Sequence, residues 1–412
     1  MRLIRTIVLS SVAALIGAVS AHAEPLKFAL VETLSGPQAL TGQLNLTVLK
    51  REIDKFNAAG GFRGEKVELL EYDNQGTTVG AADRLRAAIA GGARVIAQGA
   101  STAIAVQISE DVRKYNLRNP GKEVVFLNLG AEGMELTGEK CHFYHIRIGS
   151  NTAMRFNVAV KALSETGNLG RRVFLINQNY SPGFTVQKTI EDNASKFGYE
   201  IVGKILHEVN KVQDFSPYVA QIQQVNPDTV ITGNWSNDLV LLMKAAADAN
   251  LKAHFVTAYL DQPGNLASAG AVANGHYLVN TFNPQYSDAA SALAEEYKAA
   301  VGHYPTYAEP QTIFGMQLFL AALKSLNDKQ GSVSTNDIVV AMENTRITTP
   351  MGEQYIRKED HQTQLSLILS RVSPDARFKV DGTQYGFVPV KKVSADQIGD
   401  LVQDGCKMGR PE

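Results

Sequence analysis

The chain is poor in features that mark several functional classes. Cysteine occurs only as Cys141 and Cys406. Two cysteines so far apart resemble neither a CxxC redox pair nor a thiolate metal cluster. Tryptophan occurs once, as Trp235. There is no basic block, and 40 basic against 41 acidic side chains offer nothing to a phosphate backbone, so nucleic acid is not an expected partner. Past the N-terminal leader, no run reaches the ~18 uncharged apolar residues of a membrane-crossing helix. Walker loop, GxGxxG fingerprint and Gly-x-Ser-x-Gly elbow are all missing. His142 and His145 are three apart on an expected strand, so they point to opposite faces and make a poor metal pair. Asp360-His361 has no serine elbow to complete a triad. The expectation is therefore no metal, no cofactor and no enzyme.

What is present begins with an export signal. Arg2 and Arg5 precede the short apolar run "IVLSSVAALIGAV", and Ala21-His22-Ala23 supplies small residues for cleavage after Ala23. Residues 1–23 are read as a signal peptide, and the mature chain as a soluble periplasmic protein. In that oxidising compartment Cys141 and Cys406 are expected to form one disulfide, two separate buried thiols being the alternative. A mature length near 390 residues suits two domains rather than one core.

Apolar strands then alternate with amphipathic helices. "LKFALVETLSGP", "EKVELLEYD", "ARVIAQGAS" and "EVVFLNLG" read as strands separated by helices. The scheme restarts after "FYHIRIGSN", with helices over 153–165, 184–197, 214–224 and 238–249 between further strands. This order predicts an α/β protein of two doubly wound, Rossmann-like parallel sheets. No Pro- or Gly-rich linker separates the halves, so a multi-strand hinge with several crossings is expected, giving lobe 1 residues 24–146 plus 276–347 and lobe 2 residues 147–275 plus 348–412. In such sheets ligands bind beyond the carboxyl ends of the strands. The loops there, "SGPQALTG", "QGASTA", "NLGAEGME", "NQNYSPG", "GNWSND" and "AYLDQPG", are rich in Ser, Thr, Asn and Gly, with aromatic residues interspersed.

The segment "FNAAGGFRGEKVELLEYDNQ" resembles a stretch of the branched-chain-amino-acid-type periplasmic binding proteins, in which a helix ends Asn-x-x-Gly-Gly and a strand ends Asp-x-Gln. The "SGP…G" loop, the Ser/Thr loop at 99–103, Tyr180 and "PMGEQYIRKEDHQ" are similar too. The resemblance spans nearly all of the mature chain. It implies the type I periplasmic binding protein fold, closing by a hinge on a small carboxylate, most simply a branched-chain or other hydrophobic amino acid. An aromatic or other non-amino acid, or a sensor component of the same fold, is the alternative. The implied partners are the permease subunits of an ABC importer, and the protein is expected to be a monomer. Ser101 would hold the carboxylate, with backbone amides near Ala100, Thr102 and Gly130. Tyr180 and Trp235 would supply aromatic contacts. The sequence departs from the family pattern in three places. Glu132 stands where a threonine-type contact is usual, and Thr41 where an aromatic is. The position of the usual ammonium-binding acid falls near Tyr259, with Asp261 two residues on. Each residue also has a plainer reading: Ser101 and Thr102 as helix caps, Tyr180 as packing over the hinge, Trp235 as a lobe edge, Glu132 as a solvated loop acid, Asp261 as a turn residue.

Overall fold

The computed structural model describes residues 24–36 and 39–411. The expected signal peptide and cleavage point, residues 1–23, lie outside the described residues. The first lobe contains strands β1 (Lys27–Glu32), β2 (Glu68–Asp73), β3 (Val95–Gln98), β4 (Val125–Asn128) and β5 (His145–Arg147). Among the described residues they form one parallel sheet in the order β2-β1-β3-β4-β5. Strands β3 and β4 bury every residue, as a sheet covered on both faces requires. The covering helices are α1 (Ala39–Ala58), α2 (Thr78–Ala90) and α3 (Thr102–Arg118). Their starts follow from capping: Thr77 accepts from Gly80 N at 3.0 Å, and the Ser101 side chain accepts from Ile104 N at 3.5 Å.

The second lobe opens with α4 (Thr152–Glu165), capped by Asn151. It continues through β6 (Arg172–Gln178), α5 (Ser181–Phe197), β7 (Glu200–His207), α6 (Ser216–Val225), β8 (Thr229–Ile231), α7 (Ser236–Asp248), β9 (His254–Thr257), α8 (Asn265–Ala269) and β10 (Tyr277–Asn280). The chain then returns to lobe 1 through α9 (Asp288–Val301), α10 (Ala308–Ser325) and α11 (Thr335–Asn344). A small antiparallel sheet follows, of β11 (Arg346–Thr349), β12 (Gly352–Ile356) and β13 (Thr363–Gln364). Finally β14 (Leu367–Ser373) and β15 (Gly386–Val393) extend the second sheet, in the order β15-β14-β10-β9-β8-β6-β7. Each lobe carries its own main apolar core, and a further cluster joins Val48 and Phe314 of lobe 1 to Ile368 of β14.

The expected lobe boundaries need correcting at both returns. Strand β10 pairs with β9 and β14, so the chain leaves lobe 2 after Asn280 rather than at 276. The 346–364 strands sit on lobe 1, where Ile356 joins the first core, so the last crossing follows Gln364 rather than 347. The C-terminal tail also leaves lobe 2: Cys406 is bonded to Cys141, and Arg410 pairs with Glu343 of α11 at 2.7 Å. The hinge is hydrogen-bonded as a short ladder. Arg147 N donates to His361 O at 3.1 Å, Thr363 Oγ1 to Arg147 O at 2.6 Å and Gln362 Nε2 to Gly149 O at 2.8 Å.

Candidate functional site

The loops beyond the strand ends of both lobes meet around one cavity of about 360 Å³. From lobe 1 it is lined by Thr41, Ala100, Ser101, Thr102, Gly130 and Glu132. From lobe 2 it is lined by Tyr180, Trp235, Tyr259 and Gln262, with Tyr307 from the segment before α10. The walls touch: Ser181 Oγ donates to Glu135 Oε2 at 3.0 Å across the cleft.

One end of the cavity is the N-terminus of α3. Ser101 caps the helix and Thr102 is its first residue, so the first amides of the turn have no intrahelical acceptor and carry the positive end of the helix dipole. The neighbouring amides are already committed. Glu32, fully buried at the end of β1, accepts from Gly99 N at 2.7 Å and Ala100 N at 3.1 Å. Burial raises its pKa, and those amides and Asn45 oppose the rise. Gly130 N donates to Asn128 Oδ1 at 3.2 Å. Ala100 and Gly130 thus shape the wall, but the N–H groups expected from them are turned to internal acceptors. Anion-binding capacity concentrates on Ser101 and Thr102.

A second part of the wall is organised by Glu132. Its Oε1 meets Arg155 Nε of α4 at 3.0 Å, while Oε2 accepts from Tyr259 Oη at 3.1 Å and Thr152 Oγ1 at 3.3 Å. Every one of those partners belongs to lobe 2. Arg155 is buried and donates to Ser150 Oγ and Ala258 O; burial lowers its pKa, but the charges of Glu132, Tyr259, Asp261 and Tyr307 together outweigh that and raise it. Glu132 is the one charged side chain among the described residues of the wall. The solvated-acid reading does not apply to it, because it is 7% exposed.

The rest of the wall is aromatic. Trp235, half-buried, donates its indole N–H to Tyr180 Oη at 3.0 Å. Its backbone leads into α7 at Ser236, whose N–H donates to Gln262 Oε1 at 3.1 Å. Burial lifts the Tyr180 and Tyr259 phenols above their usual range, with the Glu132 charge adding to the rise. Tyr307 lines the cavity together with Thr41, the residue standing where an aromatic was expected. Tyr307 has φ 52° and ψ −111°, a conformation costing of order 1–3 kcal/mol for a residue with a side chain.

Asp261 does not line this cavity. Gln262 N donates to Tyr259 O at 3.2 Å, and this turn carries Asp261 to the far side of the wall. There its Oδ2 accepts from Asn280 Nδ2 at 3.3 Å and Tyr307 N at 3.2 Å. Burial pushes its carboxyl up to about 6, against the charge of Arg155. Sequence reading also missed Glu32, Arg155 and Tyr307. The first two carried a signal: Glu32 ends the apolar run 28–31 and Arg155 lies on an apolar helix face, where burial demands a partner. Tyr307 gave none.

Comparison with known proteins agrees with this geometry. A family model described as periplasmic binding protein matches residues 25–377. "Leu/Ile/Val-binding protein homolog 4" of Brucella melitensis is 57% identical over 398 residues, covering 96% of each chain. The closed-conformation crystal structure of a leucine-, isoleucine-, valine-, threonine- and alanine-binding protein from Brucella ovis aligns with a TM-score of 0.92 at 57% identity, over 94% of this chain and all of that one. A solute-binding protein of an ABC transporter from Rhodopseudomonas palustris, in complex with 3,4-dihydroxybenzoic acid, shares the fold: its TM-score is 0.74 at 20% identity, over 90% of this chain and 98% of that one. The 57% identical solved structure shares the whole fold, and the chain belongs to the periplasmic binding protein family.

Proposed function

We propose that the cavity captures a free α-amino acid with an apolar side chain, of the leucine, isoleucine or valine kind, by closure of the lobes. The observation that carries this is the charge pattern of the wall. A helix N-terminus with two hydroxyls faces the cavity at one end, and a lone carboxylate, Glu132, stands on the wall. A zwitterion satisfies both: its carboxylate takes charge-assisted bonds from Ser101 and Thr102, and its ammonium meets Glu132. Tyr180, Trp235, Tyr259 and Tyr307 then enclose the apolar part. The name of the 57% identical Brucella ovis relative supports the same class. Because Glu132 bonds to Arg155 and Tyr259 of the other lobe, ligand capture and closure share one side chain. Closure is a population shift toward the state in which the ligand touches both lobes.

The mature protein, cleaved after Ala23, works in the periplasm as a monomer, hands its solute to the permease subunits of an ABC importer and catalyses nothing. A second reading, an aromatic carboxylic acid, is favoured by the four rings on the wall. A thermal-shift screen of proteinogenic amino acids against benzoates tests the choice, since a ligand of the folded state raises its melting temperature by mass action. Stabilisation by leucine, isoleucine or valine supports the proposal; stabilisation by benzoates alone replaces it with the second reading.

A further inference from the structure

Tyr307 forms part of the cavity wall in a backbone conformation that a tyrosine does not adopt unaided. It opens α10, where its N–H has no intrahelical acceptor and no side-chain cap is made. That N–H donates instead to Asp261 Oδ2, from the loop after β9, so the bond joins a lobe 2 loop to the segment returning to lobe 1. The preceding amide, Thr306 N, donates to Glu309 Oε2 at 2.9 Å, and Glu309 Oε1 also accepts from Tyr297 Oη and His303 Nε2. The 302–307 turn thus hangs on two carboxylates. They differ in how well they are held: Asp261 Oδ1 has no protein partner among the described residues, although the residue is 4% exposed.

We propose that Asp261 is a positioning residue of the solute site, its ionised carboxylate holding the Tyr307 backbone so that the phenol ring stands against the cavity. This rests on the reading of the cavity as an amino-acid site, but adds a residue that touches no ligand. The charged and titratable groups around Asp261 are Arg155 of α4, with Glu132 beyond it, Tyr307 itself, and Tyr304, which lines the same small pocket. On the turn side stand His303 and Glu309, with Asp381 near His303. Arg155 is engaged by Glu132, and His303 by Glu309, so neither neutralises Asp261 completely.

The consequence is an opposition between binding and stability. Burial lifts this carboxyl from 3.8 to about 6. Between those values the native state holds more protons than the unfolded chain, so the Asp261 contribution to stability falls as pH rises through the window. The amide bond to Tyr307 behaves oppositely, since protonation removes the acceptor's charge and weakens it. Affinity therefore falls as pH drops through about 6, whereas Asp261→Asn spares or raises the melting temperature at pH 7.5. An aspartate that merely held the fold together would lower stability when replaced.

The test uses the mature protein with Asp261→Asn and Asp261→Ala. In ligand-free protein labelled with ¹⁵N-tyrosine, and assigned through Tyr307→Phe, the Tyr307 amide proton should lie downfield and titrate with a midpoint near 6. Asp261→Asn should abolish that titration. Titration with L-leucine should show affinity reduced about tenfold in Asp261→Asn at pH 7.5, the scale of one hydrogen bond to a charged group, with a flatter pH dependence than the wild type. A Tyr307 amide that does not titrate, or titrates unchanged in Asp261→Asn, overturns the proposal. So does a variant whose leucine affinity and pH profile match the wild type, and in that case the solute reading stands. If the wild type takes no leucine while the amide titrates as described, the positioning bond stands and the solute reading fails.

Discussion

At the scale of single residues, the site depends on how each polar group is held. A lone tryptophan in a polar loop needs cover, and the structure gives it the cavity wall and the Tyr180 hydroxyl. Trp235→Ala should weaken ligand binding by about 2 kcal/mol or more, as truncated aromatic anchors do, with the fold intact by circular dichroism. Because Trp235 is the only source of its kind, its emission should shift saturably with ligand. An unchanged spectrum at saturation would return it to a lobe edge. Trp235 was legible because a large ring among Asn, Ser and Asp is conspicuous. Asp261 was misplaced because its orientation depends on a turn that residue types alone do not specify. The commitment of the Ala100 amide to Glu32 was equally hidden: the sequence shows a glutamate ending an apolar strand, not where its oxygens point. The sequence placed Asp261 near the usual ammonium-binding position, and the structure leaves Glu132 as the one carboxylate on the wall among the described residues.

At the scale of elements, the strand–helix alternation was legible almost throughout, since apolar strands and helical spacing report burial directly. The lobe to which a strand belongs was not. "YLVN" is as apolar as any strand of lobe 1, and only pairing with β9 and β14 assigns it to lobe 2. Helix placement depends on close approaches that sequence patterns do not reveal. A Cβ added at Gly183, in the first turn of α5, would come within 1.9 Å of Gln178 O at the end of β6. Gly183→Ala should push away the helix start that carries Tyr180 and Ser181, destabilising the protein by roughly 1–3 kcal/mol. Denaturant unfolding would measure this, and a midpoint equal to wild type would contradict the packing described. The loss of leucine affinity should exceed that of a neutral surface variant on α5, because the displaced start also forms the wall.

At the scale of the whole molecule, the tail adds a covalent link between lobes already joined by the hinge. It leaves β15 in lobe 2, Asp400 accepts from Asn151 Nδ2 at 3.1 Å and pairs with Arg357 at 2.9 Å beside the hinge, and Cys406 closes on Cys141 of lobe 1. In the chain-entropy model a loop this long stabilises by up to ~5 kcal/mol. Cys406→Ser should lower the melting temperature measurably, and thiol labelling of unfolded, unreduced protein should find no free thiol; two reactive thiols would contradict the bond. Next to the disulfide, burial holds the His142 imidazole down to about 4, and His276 is held down to about 4 in the same way. Their native values lie below the ordinary 6.5, so between about 4 and 6.5 the unfolded chain binds more protons and stability is lost as pH falls. The urea midpoint should drop between pH 7 and pH 4.5, and His142→Asn should shallow that drop.

The central claim is that the closed cavity recognises an ammonium through Glu132 as well as a carboxylate through Ser101 and Thr102. Calorimetric titration of the mature protein and of Glu132→Gln, with L-leucine and with its deaminated analogue 4-methylpentanoate, tests it most directly. The wild type should prefer leucine strongly. Glu132→Gln, checked by its melting curve because Arg155 loses its partner, should lose most of that preference, a change on the scale of the ~3–5 kcal/mol attached to breaking a buried charge pair. Equal preference for leucine in both proteins, or tighter binding of 4-methylpentanoate by the wild type, would contradict the account.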